Sequence, residues 1–293
     1  MSDVSRCDRS TPSAEIDLPI LTADSIDSLE VIALLPAGGQ ATRLSPLPMS
    51  KELYPIGFHP EQRCEQIANP DLSGQSRSET ALKPKVVAHY LLEKMRLAGI
   101  TKAIWVLRPG KWDIPAYFGD GTMLNMHFAY MTVHVPYGVP YTLDQAYPFV
   151  QRSIVALGFP DILFEPAAAY QQVLNRLRQR QADVVLGLFP TQQTWKAGMV
   201  SIDSSGRVQQ IIEKPQQSDL KYMWAIAVWT PRFTQFLHEF LQQHQPTTEL
   251  PIGDVIQAGI AAGLDVQAEC FPEGRYLDVG TPDDLRQAIR SLT

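Results

Sequence analysis

The 293-residue sequence has little cysteine, no run of basic charge and no long apolar stretch. Its three cysteines, Cys7, Cys64 and Cys270, are far apart and form no C-x-x-C pair. An odd, scattered set argues against a disulfide framework and fits a reducing compartment. Formal net charge is −6, and the basic patch that marks most nucleic-acid-binding surfaces is missing. No segment is apolar enough over the length needed to span a membrane. The N-terminus lacks the basic start and apolar core of a secretory signal. The expectation is a cytoplasmic protein with no nucleic-acid and no membrane partner. Two familiar phosphate loops are also absent: Gly38-Gly39-Gln40-Ala41 breaks G-x-G-x-x-G, and G-x-x-x-x-G-K-[ST] does not occur.

Hydrophobic residues make up 45% of the chain, enough for a full core. The sequence is organised around Val31 to Ile56, VIALLPAGGQATRLSPLPMSKELYPI. A short branched apolar run closed by Pro and Gly reads as a strand buried on both faces of a parallel sheet. Such a strand emptying into a glycine turn is where an open α/β sheet binds ligand. Gly38 and Gly39 let backbone N–H groups approach an anion. Arg43 suits bidentate phosphate contact, and Lys51 acts as a compact point charge. Together they point to a polyphosphate site, although a glycine turn and two solvated cations would account for each feature singly.

The combination Gly38, Gly39, Thr42, Arg43, Leu44, Pro46, Lys51 and Pro55 resembles the opening G-G-x-G-T-R-L, Pro, K-x-x-x-P pattern of the sugar nucleotidyltransferases. This family includes glucose-1-phosphate thymidylyltransferases and UTP–glucose-1-phosphate uridylyltransferases. Ala41 departs from it, standing where the family usually has glycine.

Further matches follow in order. Residues 142–146, TLDQA, read as a helix start. They resemble a G-L-A-Q-A turn whose glutamine meets the nucleotide base, which makes Gln145 a base contact, with Thr142 and Asp144 as departures. The apolar strand Ser153 to Phe159 ends at Pro160-Asp161. A carboxylate there points into the ligand crevice and suits Mg²⁺. The family's L-G-D makes Asp161 a metal ligand, with Pro160 replacing glycine. Glu213-Lys214-Pro215 follows a hairpin read over 198–212, and its E-K-P resembles the family's sugar-phosphate pocket. There Glu213 accepts from sugar hydroxyls, Lys214 meets the phosphate and Gly198 lets the sugar approach. Residues 276–282, YLDVGTP, resemble W-x-D-x-G-T-P, making Asp278 the second metal ligand.

Between the motifs, residues 1–28 read as a flexible arm, and 29–293 as the nucleotidyltransferase domain. About 58–83 reads as a polar insertion. Residues 84–98 read as a helix with Pro84 in its first turn and Gly99 past its end. No hexapeptide repeats follow the last helix, so the fused β-helix acyltransferase of some relatives is not expected. The resulting fold class is α/β: a Rossmann-like, mostly parallel sheet with flanking helices and a smaller β-rich sugar-binding part after about Thr191.

The resemblance implies an Mg²⁺-dependent condensation of a nucleoside triphosphate with a sugar 1-phosphate, releasing pyrophosphate. It favours dTTP or UTP with glucose 1-phosphate. Arg43 is assigned to the leaving phosphates and Lys51 to the α-phosphate region. A rival reading is an inactive sugar-nucleotide-binding regulator on the same scaffold, since Ala41, Thr142 and Pro160 all depart near substrate. A dinucleotide-dependent oxidoreductase is the third reading, and the missing G-x-G-x-x-G counts against it. Neither a homo-oligomer nor a monomer is favoured by the sequence.

Overall fold

A computed structural model describes residues 26–60, 82–134, 137–244 and 248–292. Most of the N-terminal arm and of the insertion, with Cys7 and Cys64, lies outside the described residues. The chain opens with β1 (Val31–Ala37), a 3-10 turn at Lys51–Leu53, and β2 (Pro55–Pro60), which pairs antiparallel with β3 (Leu82–Val86). Then come α1 (Val87–Leu97), β4 (Lys102–Leu107), α2 (Asp113–Phe118), β5 (His127–Thr132), α3 (Val139–Asp144) and α4 (Tyr147–Val150). These are followed by β6 (Ile154–Leu157), β7 (Ile162–Glu165), α5 (Ala169–Arg180) and β8 (Val184–Pro190). A hairpin of β9 (Gly198–Ile202) and β10 (Val208–Glu213) leads to β11 (Tyr222–Trp229), α6 (Pro231–Gln243) and α7 (Ile252–Ala261). The chain closes with β12 (Val266–Cys270), β13 (Arg275–Asp278) and α8 (Pro282–Leu292).

Nine strands form one sheet in the order β10-β9-β11-β6-β1-β4-β5, with β8 joining β11 to β12. Only β10 and β11 run against the other strands, so the sheet is mostly parallel. Side chains along each strand alternate between two cores, as the strand period of two requires. In β1, Ala33, Leu35 and Ala37 join the core under α1 and α5, while Ile32 and Leu34 join the one under α6 and α7. Trp105 and its neighbours Ile104 and Val106 divide in the same way. Each fully buried leucine among them contributes roughly 1.5–3 kcal/mol of transfer free energy.

Two features position the site. β11 pairs with β8 along one edge and divides the other between β9, at Tyr222 and Met223, and β6, at Ala227–Trp229. Trp224, Ala225 and Ile226 therefore face a fork in the sheet. Separately, β7 and β13 form a two-stranded antiparallel sheet with Asp278 opposite Ile162.

The structure corrects several local expectations. Pro84 lies in β3, because its helix begins only at Val87. The two ends of the expected polar insertion are strands paired with each other, and 61–81 lies outside the described residues. Gln145 follows the last turn of α3 and does not begin a helix. The β-rich part expected after about Thr191 is present as the β9–β10 hairpin and β11, within the central sheet.

Candidate active site

The carboxyl ends of β1, β4 and β6 open together on one rim, as parallel neighbours must. β1 delivers Gly38 and Gly39, β4 delivers Arg108, and the turn after β6 delivers Asp161. These residues, with Lys51 and Thr142, line a cavity of about 640 Å³. A second cavity of about 390 Å³ adjoins it and shares Gly39, Gln40, Lys51 and Arg108. A third, of about 370 Å³, lies at the fork and is lined by Gly198, Glu213, Lys214, Trp224, Ala225 and Asp278. Asp161 lines both the first and the third.

Pairing of β7 with β13 brings the two carboxylates together: the Val279 N–H donates to the Asp161 carbonyl at 2.9 Å. Asp161 accepts an ion-paired hydrogen bond from the Lys51 ammonium. Burial alone would lower the Lys51 pKa, but Asp161, Glu52 and Asp278 together hold it above its ordinary value. Burial, and then the Asp161 charge, push Asp278 up to about 6 against the pull of Lys51 and Arg43. Its Oδ1 is buried with no hydrogen-bond partner among the described residues. Two crowded carboxylates, one oxygen of which is orphaned, are oxygen donors of the kind a hard divalent cation takes. Among the described residues no cluster of three His, Cys, Asp or Glu side chains could hold a metal ion.

Side chains crowd the glycines at and beside the third cavity. A methyl group at Gly198 would lie 2.5 Å from Trp224 Nε1 and 2.7 Å from Glu213 Oε1. One at Gly253 would lie 1.9 Å from the same Glu213 oxygen. Burial raises the Glu213 pKa, and the Trp224 indole N–H opposes this only partly. That N–H is buried and approaches Glu213 at a geometry that does not amount to a hydrogen bond. Lys214 lines this cavity too, at a strained positive φ of 45°.

The structure gathers Gly38, Gly39, Lys51, Asp161, Gly198, Glu213, Lys214 and Asp278 around adjoining cavities. Three candidates line none of these cavities. Thr42 is exposed, and its carbonyl accepts from the Ser45 N–H in a turn. Arg43 is exposed and lines none of the three cavities; its Nη2 lies beside Gly280, next to the Asp278 carboxylate. Gln145 is exposed and donates back to the Tyr141 carbonyl, so it does not face the cavity that Thr142 lines. Ala41 carries a φ of 52°, the left-handed conformation that glycine adopts without strain.

Sequence reasoning missed Arg108, Trp224 and a buried ion pair. Lys111 Nζ donates to Glu52 Oε1 at 2.6 Å, both side chains being almost wholly buried. The signal for the first and the last was available: 108–111, RPGK, follows the buried strand β4 just as Gly38-Gly39 follows β1.

Comparison with known proteins agrees with this architecture. The profile of the Nucleotidyl transferase family matches residues 80–293, and the chain belongs to that family. A glucose-1-phosphate thymidylyltransferase of Streptomyces griseus is 26% identical over 266 residues, which cover 88% of this chain and 65% of the relative. The low-salt glycan biosynthesis nucleotidyltransferase Agl11 of Haloferax volcanii is 24% identical over 207 residues, 70% of this chain and 56% of the relative. The chain thus spans about 56% to 65% of the length of these curated relatives. Among solved structures, a UDP-glucose pyrophosphorylase complexed with UDP-glucose superposes with a TM-score of 0.70 at 17% identity, covering 90% of this chain and 98% of that one. A UTP-bound UGPase from Acinetobacter baumannii gives 0.69 at 18% identity, covering 90% and 93%. At these identities the superpositions speak for the fold.

Proposed function

We propose that the chain is a sugar-1-phosphate nucleotidyltransferase. The reading is carried by one observation: Asp161 stands where a cavity lined by Gly38 and Gly39 meets one lined by Glu213 and Lys214, with Asp278 lining the second. That is what joining two phosphorylated substrates requires. A sugar 1-phosphate oxygen forms a bond to the α-phosphorus of a nucleoside triphosphate, the bond to the β-phosphate oxygen breaks, and pyrophosphate leaves. No covalent enzyme intermediate is needed, so catalysis is positioning plus charge neutralisation.

Gly38 and Gly39 leave room for the phosphates to meet main-chain N–H groups. Lys51 meets the α-phosphate region. Glu213 accepts from sugar hydroxyls, and Lys214 meets the sugar phosphate. Asp161 and Asp278 would hold Mg²⁺, which supplies Lewis-acid polarisation of phosphoryl oxygens when bound. The finer substrate choice, dTTP or UTP with glucose 1-phosphate, is supported by the Streptomyces griseus relative and the UDP-glucose-bound neighbour. A soluble cytoplasmic setting is the reading we attach to it; among the described residues no helix is long and apolar enough to cross a membrane.

Pyrophosphate release by the purified chain with Mg²⁺, crossed over nucleoside triphosphates and hexose 1-phosphates, tests this. Release that needs both substrates and disappears in Asp278→Ala is expected. Tight sugar-nucleotide binding with no release from any pair would instead establish a regulator.

A further inference from the structure

Lys51 is not carried by a strand. Between β1 and β2 the chain holds no regular element except the 3-10 turn Lys51–Leu53, and that turn carries the ammonium that meets Asp161. Hydrogen-bond geometry in such a turn is poor, and its N-cap, Ser50, makes no side-chain cap bond. The turn is tied instead to the segment that follows β4. Asp113, the first residue of α2, accepts from the Ser50 N–H at 2.6 Å and from the Ser50 hydroxyl at 2.7 Å. Lys111 donates to Glu52 at 2.6 Å, with both side chains buried. The residues on either side of Lys51 are thus held by the residues on either side of Trp112. A 3-10 helix has three residues per turn, so Ser50, Lys51 and Glu52 point in three directions, toward Asp113, Asp161 and Lys111. Leu53 also anchors the turn, by burial in the core. An apolar contact is non-directional and does not set where a neighbouring side chain aims; the three polar contacts do. Their base is β4, a buried strand between β1 and β5.

We propose that Asp113 and Lys111 are positioning residues, a clamp that closes on Ser50 and Glu52 and aims the Lys51 ammonium at Asp161. This rests on the nucleotidyltransferase reading, in which Lys51 meets the α-phosphate region, and adds what holds Lys51 there. Without the clamp the turn can rotate about its Leu53 anchor, and a misplacement of about 1 Å can cost about a hundredfold in rate. The buried pair is not needed for stability, since two apolar side chains of similar size would serve as well. What it supplies is direction.

The test uses the full chain and two variants chosen to fold. Asp113→Ala removes a half-buried side chain from the start of α2. The double variant Glu52→Leu/Lys111→Met replaces the buried pair by apolar groups, leaving no unpaired buried charge. The first readout needs no substrate: lysines are acylated with an amine-reactive ester at neutral pH and quantified by peptide mass spectrometry, with exposed Lys221 as the internal reference. Only the neutral amine reacts, and the Asp161 pair favours the charged form of Lys51. Relative to Lys221, Lys51 should react at least about threefold faster in both variants than in wild type. In turnover, kcat should fall about tenfold to a hundredfold, with KM for both substrates within about threefold of wild type. Ser50→Ala keeps the main-chain bond to Asp113 and should lose less. The proposal is overturned if Lys51 reactivity is unchanged in either variant, or if an active variant keeps the wild-type kcat and loses only melting temperature. It is overturned too if KM for the nucleoside triphosphate rises in place of the fall in kcat, which would make Asp113 a substrate contact. Faster labelling of Lys51 in both variants, together with no pyrophosphate release even from wild type, would remove the transferase reading and leave the clamp standing.

Discussion

A methyl group added at Gly38 or Gly39 would meet no atom within 4 Å, whereas one at Gly198 or Gly253 would land 2.5 Å or 1.9 Å from a side-chain atom. Neither Gly38 nor Gly39 has a left-handed φ. In the first cavity, then, neither packing nor backbone strain demands glycine, and the space above the main chain stays open. Beside the third cavity a side chain at Gly198 or Gly253 would have to displace the Glu213 carboxylate, and at Gly198 the Trp224 indole as well. In one half of the cleft the glycines of the first cavity stand clear of other atoms, and in the other half those at and beside the third are crowded by Glu213 and Trp224. Substitutions should therefore damage binding in the first half and folding in the second.

The junction between the halves should give the largest effect. Asp278→Asn should lower pyrophosphate release by at least about a hundredfold, as loss of a charge-organising group does. It should not lower the melting temperature, since it relieves a buried charge crowded by Asp161. The sign with pH follows. The folded Asp278 carboxyl titrates near 6, above its ordinary 3.8. Wild type therefore loses stability relative to Asp278→Asn as pH rises from about 4 to about 6, and the gap is constant above that. Thermal melts of both proteins in chelator across this range check it. Adding Mg²⁺ should then raise the melting temperature of wild type and not of the variant.

Next in size, Gly253→Ala should destabilise the fold by about 1–3 kcal/mol, the usual cost of overpacking. Gly38→Ala should change stability by less than about 0.5 kcal/mol while raising KM for the nucleoside triphosphate. Denaturant melts and initial rates of both variants separate the two halves; equal losses of stability would break the comparison. The smallest effect belongs to Ala41. Replacing it with glycine removes a left-handed alanine and should stabilise the loop by no more than about 1 kcal/mol, read as a small rise in the denaturant midpoint.

Much of the fold was legible because it is written in local patterns. β1 and β4 are short apolar runs, α5 has helical apolar spacing, and Gly99, with its φ of 82°, ends α1 as the sequence indicated. β7 and β13 were not legible. Each is four residues long, partly exposed and without clear alternation, and each exists because it pairs with the other. Gln145 was misplaced for a related reason. A matching motif gives residue order, but the direction of a side chain depends on where α3 begins, and Gly138 starts it early enough to leave Gln145 beyond its end.

By itself the sequence determined the α/β class, the family resemblance and the two carboxylates worth pairing, because strand period, turn chemistry and motif order are properties of neighbouring residues. Only the tertiary structure decided that Asp161 and Asp278 meet, that Glu52 claims Lys111, and that Arg108 lines the same cavity as Gly38 and Gly39. Those outcomes rest on strand register and on competition for counter-ions between residues far apart in the chain, and neither is encoded in any local window.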